Sequence, residues 1–125
     1  RNRSHGKEAR MSIEVYGIPN CDTVKKARNW LDAKGLAYSF HDYKKEGADA
    51  TRLAAWSGQA GWEVLLNRAG TMFKKLPESD KTGLDEAKAI ALMLASPSMI
   101  KRPVVEHPGG LLVGFKPEQW EAVLG

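Results

Sequence analysis

The sequence predicts an α/β fold: one mixed four-stranded sheet, assembled from a βαβ half and a ββα half, with helices on its faces and a helical insert between the halves. Three observations carry this. A strand, helix, strand pattern fills the first part of the chain, helical periodicity fills the middle, and two strands around a Pro-Gly-Gly turn precede a final helix.

The first strand is Ser12 to Gly17, where apolar and polar residues alternate among β formers. Ile18 to Thr23 is a turn with cap-type residues, and Val24, Ala27, Trp30 and Leu31 then recur at helical spacing. Gly35 after Lys34 should end that helix, and Tyr38 to Tyr43 alternates again as a second strand. A unit of this length, about 30 residues, favours a parallel pair joined by a right-handed crossover.

In the middle, Asp49 caps a helix running through about Ser57, with Leu53, Ala54 and Trp56 as its apolar surface and Gly58 and Gly61 as breaks. Trp62 to Asn67 and Thr71 to Leu76 read as short helical turns. Leu84 to Ala95 reads as a longer helix with Leu84, Ala87, Ile90, Ala91 and Leu94 in register and Asp80 or Thr82 as its cap. Pro103 to Glu106 and Leu111 to Phe115 flank the hairpin signal His107-Pro108-Gly109-Gly110. Pro117 then opens a last helix, Glu118 to Leu124.

Composition bounds the rest. The chain has 125 residues, 42% of them hydrophobic and 27% charged, which suits one globular domain over residues 11–125. Residues 1–10 carry four basic side chains against Glu8, a net of +3, and the remaining 115 carry 15 basic against 14 acidic. The basic surplus therefore belongs to the tail, which reads as a disordered extension, a tag remnant or a start-site ambiguity ahead of Met11. No basic nucleic-acid face is expected. No apolar run of about 18 residues and no signal peptide is visible, so neither membrane nor secretion is expected. A single cysteine excludes an internal disulfide and a multi-cysteine metal site and points to the reducing cytosol. His5, His41 and His107 share no ligand spacing, and solvent or structural roles are expected for them. The four tryptophans are expected to pack helices and core rather than stack bases.

Cys21 is the candidate nucleophile. It lies in the loop at the carboxyl end of the first strand, just before a helix whose free N–H groups and dipole favour a thiolate. Asn20 and Thr23 are short polar side chains within reach of donating to its sulfur. Arg102 offers a planar fork suited to oxyanions, and Pro103 follows it at a strand start.

Four segments carry a family resemblance: Gly17 to Ala27, Leu65 to Thr71, Pro97 to Pro103, and Gly114 to Glu118. In order and spacing they resemble the arsenate reductase (ArsC-like) family, more narrowly its YffB branch, with the regulator Spx as a cousin. The resemblance implies a thioredoxin-like fold with a helical insert and Pro103 as a cis-proline. It also implies that Cys21 attacks an oxyanion such as arsenate, or a mixed disulfide, while arginines hold the anion. Glutathione as co-substrate, with glutaredoxin, then resolves the intermediate, and no bound cofactor or metal is needed. Cys21 and Arg102 match the family pattern. Lys116 stands where an arginine is usual, and Asn67, Arg68 and Ala69 share the stretch holding another, leaving Arg68 as the candidate there. This departure favours a glutathione-dependent thiol reductase, cytoplasmic and monomeric, over a dedicated arsenate reductase. The alternative is an Spx-like module that binds RNA polymerase. Such regulators commonly carry Cys-x-x-Cys, whereas here Val24 stands in place of the second cysteine.

Overall fold

The computed structural model describes residues 13–125, so Ser12, His5 and the expected tail lie outside the described residues. These residues fall into two compact units: residues 13–42 with 102–125, and residues 43–101.

The first unit holds β1 (Glu14–Gly17), α1 (Asp22–Ala33), β2 (Ser39–Asp42), β3 (Val104–His107), β4 (Gly110–Val113) and a terminal helix, Pro117–Leu124. Its four strands lie in the order β2-β1-β3-β4. β1 pairs with β2 in parallel, Val15 opposite Phe40. β1 pairs with β3 and β3 with β4 antiparallel, with Val105 opposite both Val15 and Leu112. This is the βαβ–ββα sheet of the thioredoxin-like class. One face of the sheet packs Ile13, Val15, Val105 and Leu112 against Ala27 and Leu31 of α1 and Trp120 of the terminal helix. The residues between point the other way, as a period of two requires. There His41 stacks on Tyr16, with ring centroids 4.5 Å apart, and its Nε2 lies 2.6 Å from Glu14 Oε1. The structural role expected of His41 is met by this pairing.

α1 buries Val24, Ala27 and Leu31 and ends in a Schellman turn. Leu36 N–H bonds Leu31 O at 3.0 Å and Gly35 N–H bonds Asp32 O at 3.0 Å, with Gly35 at φ +72°. Two strands stop short of expectation. Tyr43 leaves β2 and starts a helical turn, and β4 ends at Val113 because Gly114 turns the chain at φ +80°. The hairpin closes with Pro108 and Gly109 as its loop, His107 opposite Gly110. His107 Nδ1 accepts the Gly109 N–H at 3.2 Å, a structural use of this residue too.

The second unit is helical: α2 (Tyr43–Glu46), α3 (Ala50–Ala60), α4 (Trp62–Leu65), α5 (Thr71–Lys74), α6 (Glu78–Lys81), α7 (Glu86–Ala95) and a 3₁₀ turn, Pro97–Met99. The terminal helix is therefore α8. α3, α4 and α7 pack together, burying Leu53, Trp56, Leu65, Ala89 and Met93. Asp49 caps α3, accepting from Arg52 N–H at 3.3 Å. Gly58 does not break that helix; Gly61, at φ +93°, ends it. An interior glycine costs a helix only about 1 kcal/mol, whereas a positive φ stops it.

Two further expectations are corrected in α7. Its buried face is Ala89 and Met93, while Ala87, Ala91 and Leu94 are exposed. The helix is apolar nearly all round, so periodicity alone selects no face. Its cap is Asp85, whose carboxylate accepts from Lys88 N–H at 2.8 Å, because Asp80 lies inside α6 and Thr82 ends it. Asp85→Ala should lower unfolding stability by about 1 kcal/mol. Asp80→Ala should change it by much less, as urea titrations of the two proteins will read.

Candidate active site

β1 ends at Gly17, and a Cβ there would meet Val24 Cγ2 at 3.0 Å. A side chain there would press on the first turn of α1 and require Val24 to shift. The chain turns through Pro19 and Asn20, and Cys21 becomes the N-cap of α1 in extended conformation, φ −119° and ψ 128°. Its carbonyl accepts the first helical bond from Lys25 N–H at 2.9 Å. The side chain is half-buried and its thiol is free.

Burial pushes the Cys21 thiol up, but other interactions outweigh it and hold the thiol below its ordinary range. These are the Val24 N–H, the Arg102 side chain and the Thr23 N–H, with the positive charge of Arg102 adding to its hydrogen bond. Thr23 and Val24 are the second and third residues of α1, whose N–H groups have no partner within the helix. Neither closes a formal capping hydrogen bond, so the helix end acts on the sulfur as an aimed dipole, strongest when the sulfur is ionised.

Alkylation by iodoacetamide should therefore reach half its maximal rate at a lower pH than for a free thiol. A stopped-flow pH series checks this. The sign for stability follows: a depressed folded pKa stabilises the protein above the unfolded pKa, and that gain is lost as pH falls through the folded pKa.

The expected site residues divide. Cys21, Thr23, Arg102 and Pro103 belong to the first unit, and Arg102 reaches the sulfur. Pro103 is buried and the Arg102–Pro103 bond is cis, as expected. Thr23 acts through its backbone N–H rather than its hydroxyl. Asn20 is exposed, and its amide is not among the groups that act on the sulfur. Lys116 is exposed at the N-cap of α8. Arg68 belongs to the second unit, where its guanidinium lies 5.9 Å from the Trp62 ring centre. Val24 is a sulfur contact that the sequence reading does not name, and its place three residues after Cys21 is the signal that points to it. Among the described residues no three His, Cys, Asp or Glu side chains cluster as a metal site, and no helix is long and apolar enough to cross a membrane.

A thiol at a helix N-terminus, faced by an arginine beside a cis-proline, invites comparison with known proteins. The ArsC family model matches residues 16–123. The chain belongs to the ArsC family. It is 58% identical to the YffB protein of known structure, with 90% of this chain and 99% of that one covered and a TM-score of 0.88. A Brucella melitensis protein described as arsenate reductase (ArsC) related is 59% identical, with 90% and 94% covered and a TM-score of 0.73. An uncharacterized Haemophilus influenzae protein is 40% identical over 110 residues, 88% of this chain and 96% of its own. The global transcriptional regulator Spx of Streptococcus mutans is 24% identical over 114 residues, covering 90% of this chain and 82% of the regulator. The ArsC match takes in Cys21, Arg102, Pro103 and Lys116 alike.

Proposed function

We propose that this ArsC-family protein is a cytoplasmic, glutathione-linked thiol reductase in which Cys21 is the nucleophile and Arg102 holds the substrate's negative charge. The observation that carries the reading is the Cys21 sulfur, acted on at once by the start of α1 and by Arg102, and ionised more readily than an ordinary thiol. Similarity to a protein described as arsenate reductase related supports the same chemistry.

With a glutathione mixed disulfide as substrate, the Cys21 thiolate attacks the glutathionyl sulfur. The bond from Cys21 to that sulfur forms, the original S–S bond breaks, and the released thiolate takes up a proton. A glutathione thiolate then attacks the glutathionyl sulfur on Cys21, giving oxidised glutathione and restoring the Cys21 thiolate. With arsenate, two glutathiones supply two electrons: arsenic is reduced to arsenite, one oxygen leaves as water, and the thiols leave as a disulfide. Since this chain has one cysteine, the second thiol comes from outside in either case, from glutathione or glutaredoxin.

Arg102 suits both routes, because its fork stabilises a departing thiolate or an oxyanion. Thr23, through its N–H, acts on the sulfur from the Cys21 segment, and Pro103 follows Arg102 directly across a cis bond. Lys116 supplies a point charge where a fork is usual in the family, which weighs toward the disulfide substrate.

A coupled assay with glutathione, glutathione reductase and NADPH tests the proposal, offering arsenate and a glutathionylated peptide in turn. Glutathione-dependent turnover is expected with the peptide. No turnover with either substrate overturns the reading. The similarity to a global transcriptional regulator, Spx, favours a second reading, a module that would regulate transcription by binding RNA polymerase. Val24 replaces the second cysteine of its switch and is fully buried, so a redox-controlled version of that role lacks its chemistry.

A further inference from the structure

The segment Gly114 to Glu118 carries a family motif of which the chemistry above uses only Lys116. Its one cation, Lys116, is exposed, yet the residues around it are tied to both halves of the site. Gly114 N–H donates to Pro103 O at 2.8 Å. Gly114 O in turn accepts from the Trp120 indole N–H at 3.1 Å. Gly114 presents its two backbone groups in this way at φ +80°, a conformation that L side chains rarely adopt. One end of this relay is therefore the residue bonded to Arg102, and the other is a fully buried tryptophan.

Trp120 also reaches α1. It meets Trp30 edge to face, ring centroids 5.6 Å apart at 89°, and Phe115 at 4.8 Å and 88°. Trp30 is on the helix that Cys21 caps. Trp120 thus contacts the helix that presents the thiol and, through two hydrogen bonds, the backbone that presents the arginine.

We propose that Trp120 is a positioning residue for the Cys21–Arg102 pair, setting the arginine against the thiol through Gly114 and Pro103 while bracing α1 through Trp30. Packing alone needs only an aromatic ring at this place. The relay needs the indole N–H as well, and that difference makes the two separable. The part-buried donor–acceptor pair also explains why tryptophan sits here: removing the donor leaves Gly114 O without this bond and lets the Gly114 turn move.

The proposal rests on the reading of Cys21 and Arg102 given above, and because its readout is the thiol and needs no substrate, its failure is told apart from failure of the reductase assay. Trp120→Phe keeps a ring and deletes the donor. The expected result is a rise in the pH midpoint of Cys21 alkylation, with the rate at pH 7 falling about three- to tenfold, since one pKa unit is a tenfold change in thiolate. A purely structural role would lower the melting temperature and leave that midpoint in place. On the unaltered protein, alkylating Cys21 should shift the NMR signals of the Gly114 amide and the Trp120 indole, because coupling between two sites is reciprocal. An unchanged midpoint in folded Trp120→Phe overturns the proposal. Should that variant not fold, unmoved Gly114 and Trp120 signals overturn it instead.

Discussion

Cys21→Ser is expected to reduce glutathione-dependent turnover to the rate of glutathione alone, a loss on the order of 10³-fold or more, as removal of a catalytic nucleophile generally gives. The physical reason lies in the acid. A serine hydroxyl at the same N-cap meets the same N–H groups of Thr23 and Val24 and the same Arg102, but these bring a thiol toward ionisation at neutral pH and leave a hydroxyl far from it. The fold should be unaffected, because serine is a better N-cap than cysteine and the site is only half-buried. Circular dichroism with the coupled assay separates the two effects: native melting with no turnover is the expected pair. Retained turnover would remove Cys21 from the mechanism.

Arg102→Ala is expected to cost about 10²–10³ in kcat, or about 2.7–4 kcal/mol, the usual effect of losing one preorganised group that stabilises charge in the transition state. Two contributions add. The thiol loses a hydrogen bond and a nearby positive charge, so less of it is ionised at pH 7. The departing thiolate or oxyanion loses its fork as well. The first contribution is visible without substrate, as an upward shift in the alkylation midpoint. Arg102→Lys should restore much of the midpoint but little of kcat, because a point charge replaces the field at the sulfur and not the planar pair of donors. A variant with normal midpoint and normal kcat would show that Arg102 serves the fold alone.

Much of the site is legible in the order of residues. Cys21 precedes a run of helical spacing, and its N-cap position follows from that alone. Asp49, Gly35 and Pro117 punctuate their helices as expected, because caps and terminators are local chemistry that acts wherever the chain goes. The departures have two causes, dependence on neighbours distant in the chain and dependence on a single backbone angle. α7 is apolar on most sides, so its buried face is set by what packs on it, and periodicity does not separate Ala89 and Met93 from Ala87 and Leu94. The end of β4 depends on the backbone angle at Gly114. Whether Thr23 meets the sulfur by hydroxyl or by N–H depends on how the first turn of α1 sits beneath Cys21.

The amino-acid order by itself determined that one thiol stands at the mouth of a helix, that an Arg-Pro pair precedes a hairpin, and that any second thiol comes from outside. Those are properties of neighbours along the chain, where residue type and spacing suffice. The order did not determine that Arg102, 81 positions away, acts on Cys21, nor that Gly114 and Trp120 tie the arginine's backbone to the core. Pairing β1 with β3 made that meeting, since an antiparallel register that sets Tyr16 opposite Val104 carries the residues just before β3 to the end of the sheet from which the Cys21 loop departs. Such a register is fixed by burying one face of every strand at once, a condition on the whole sheet that no single segment contains.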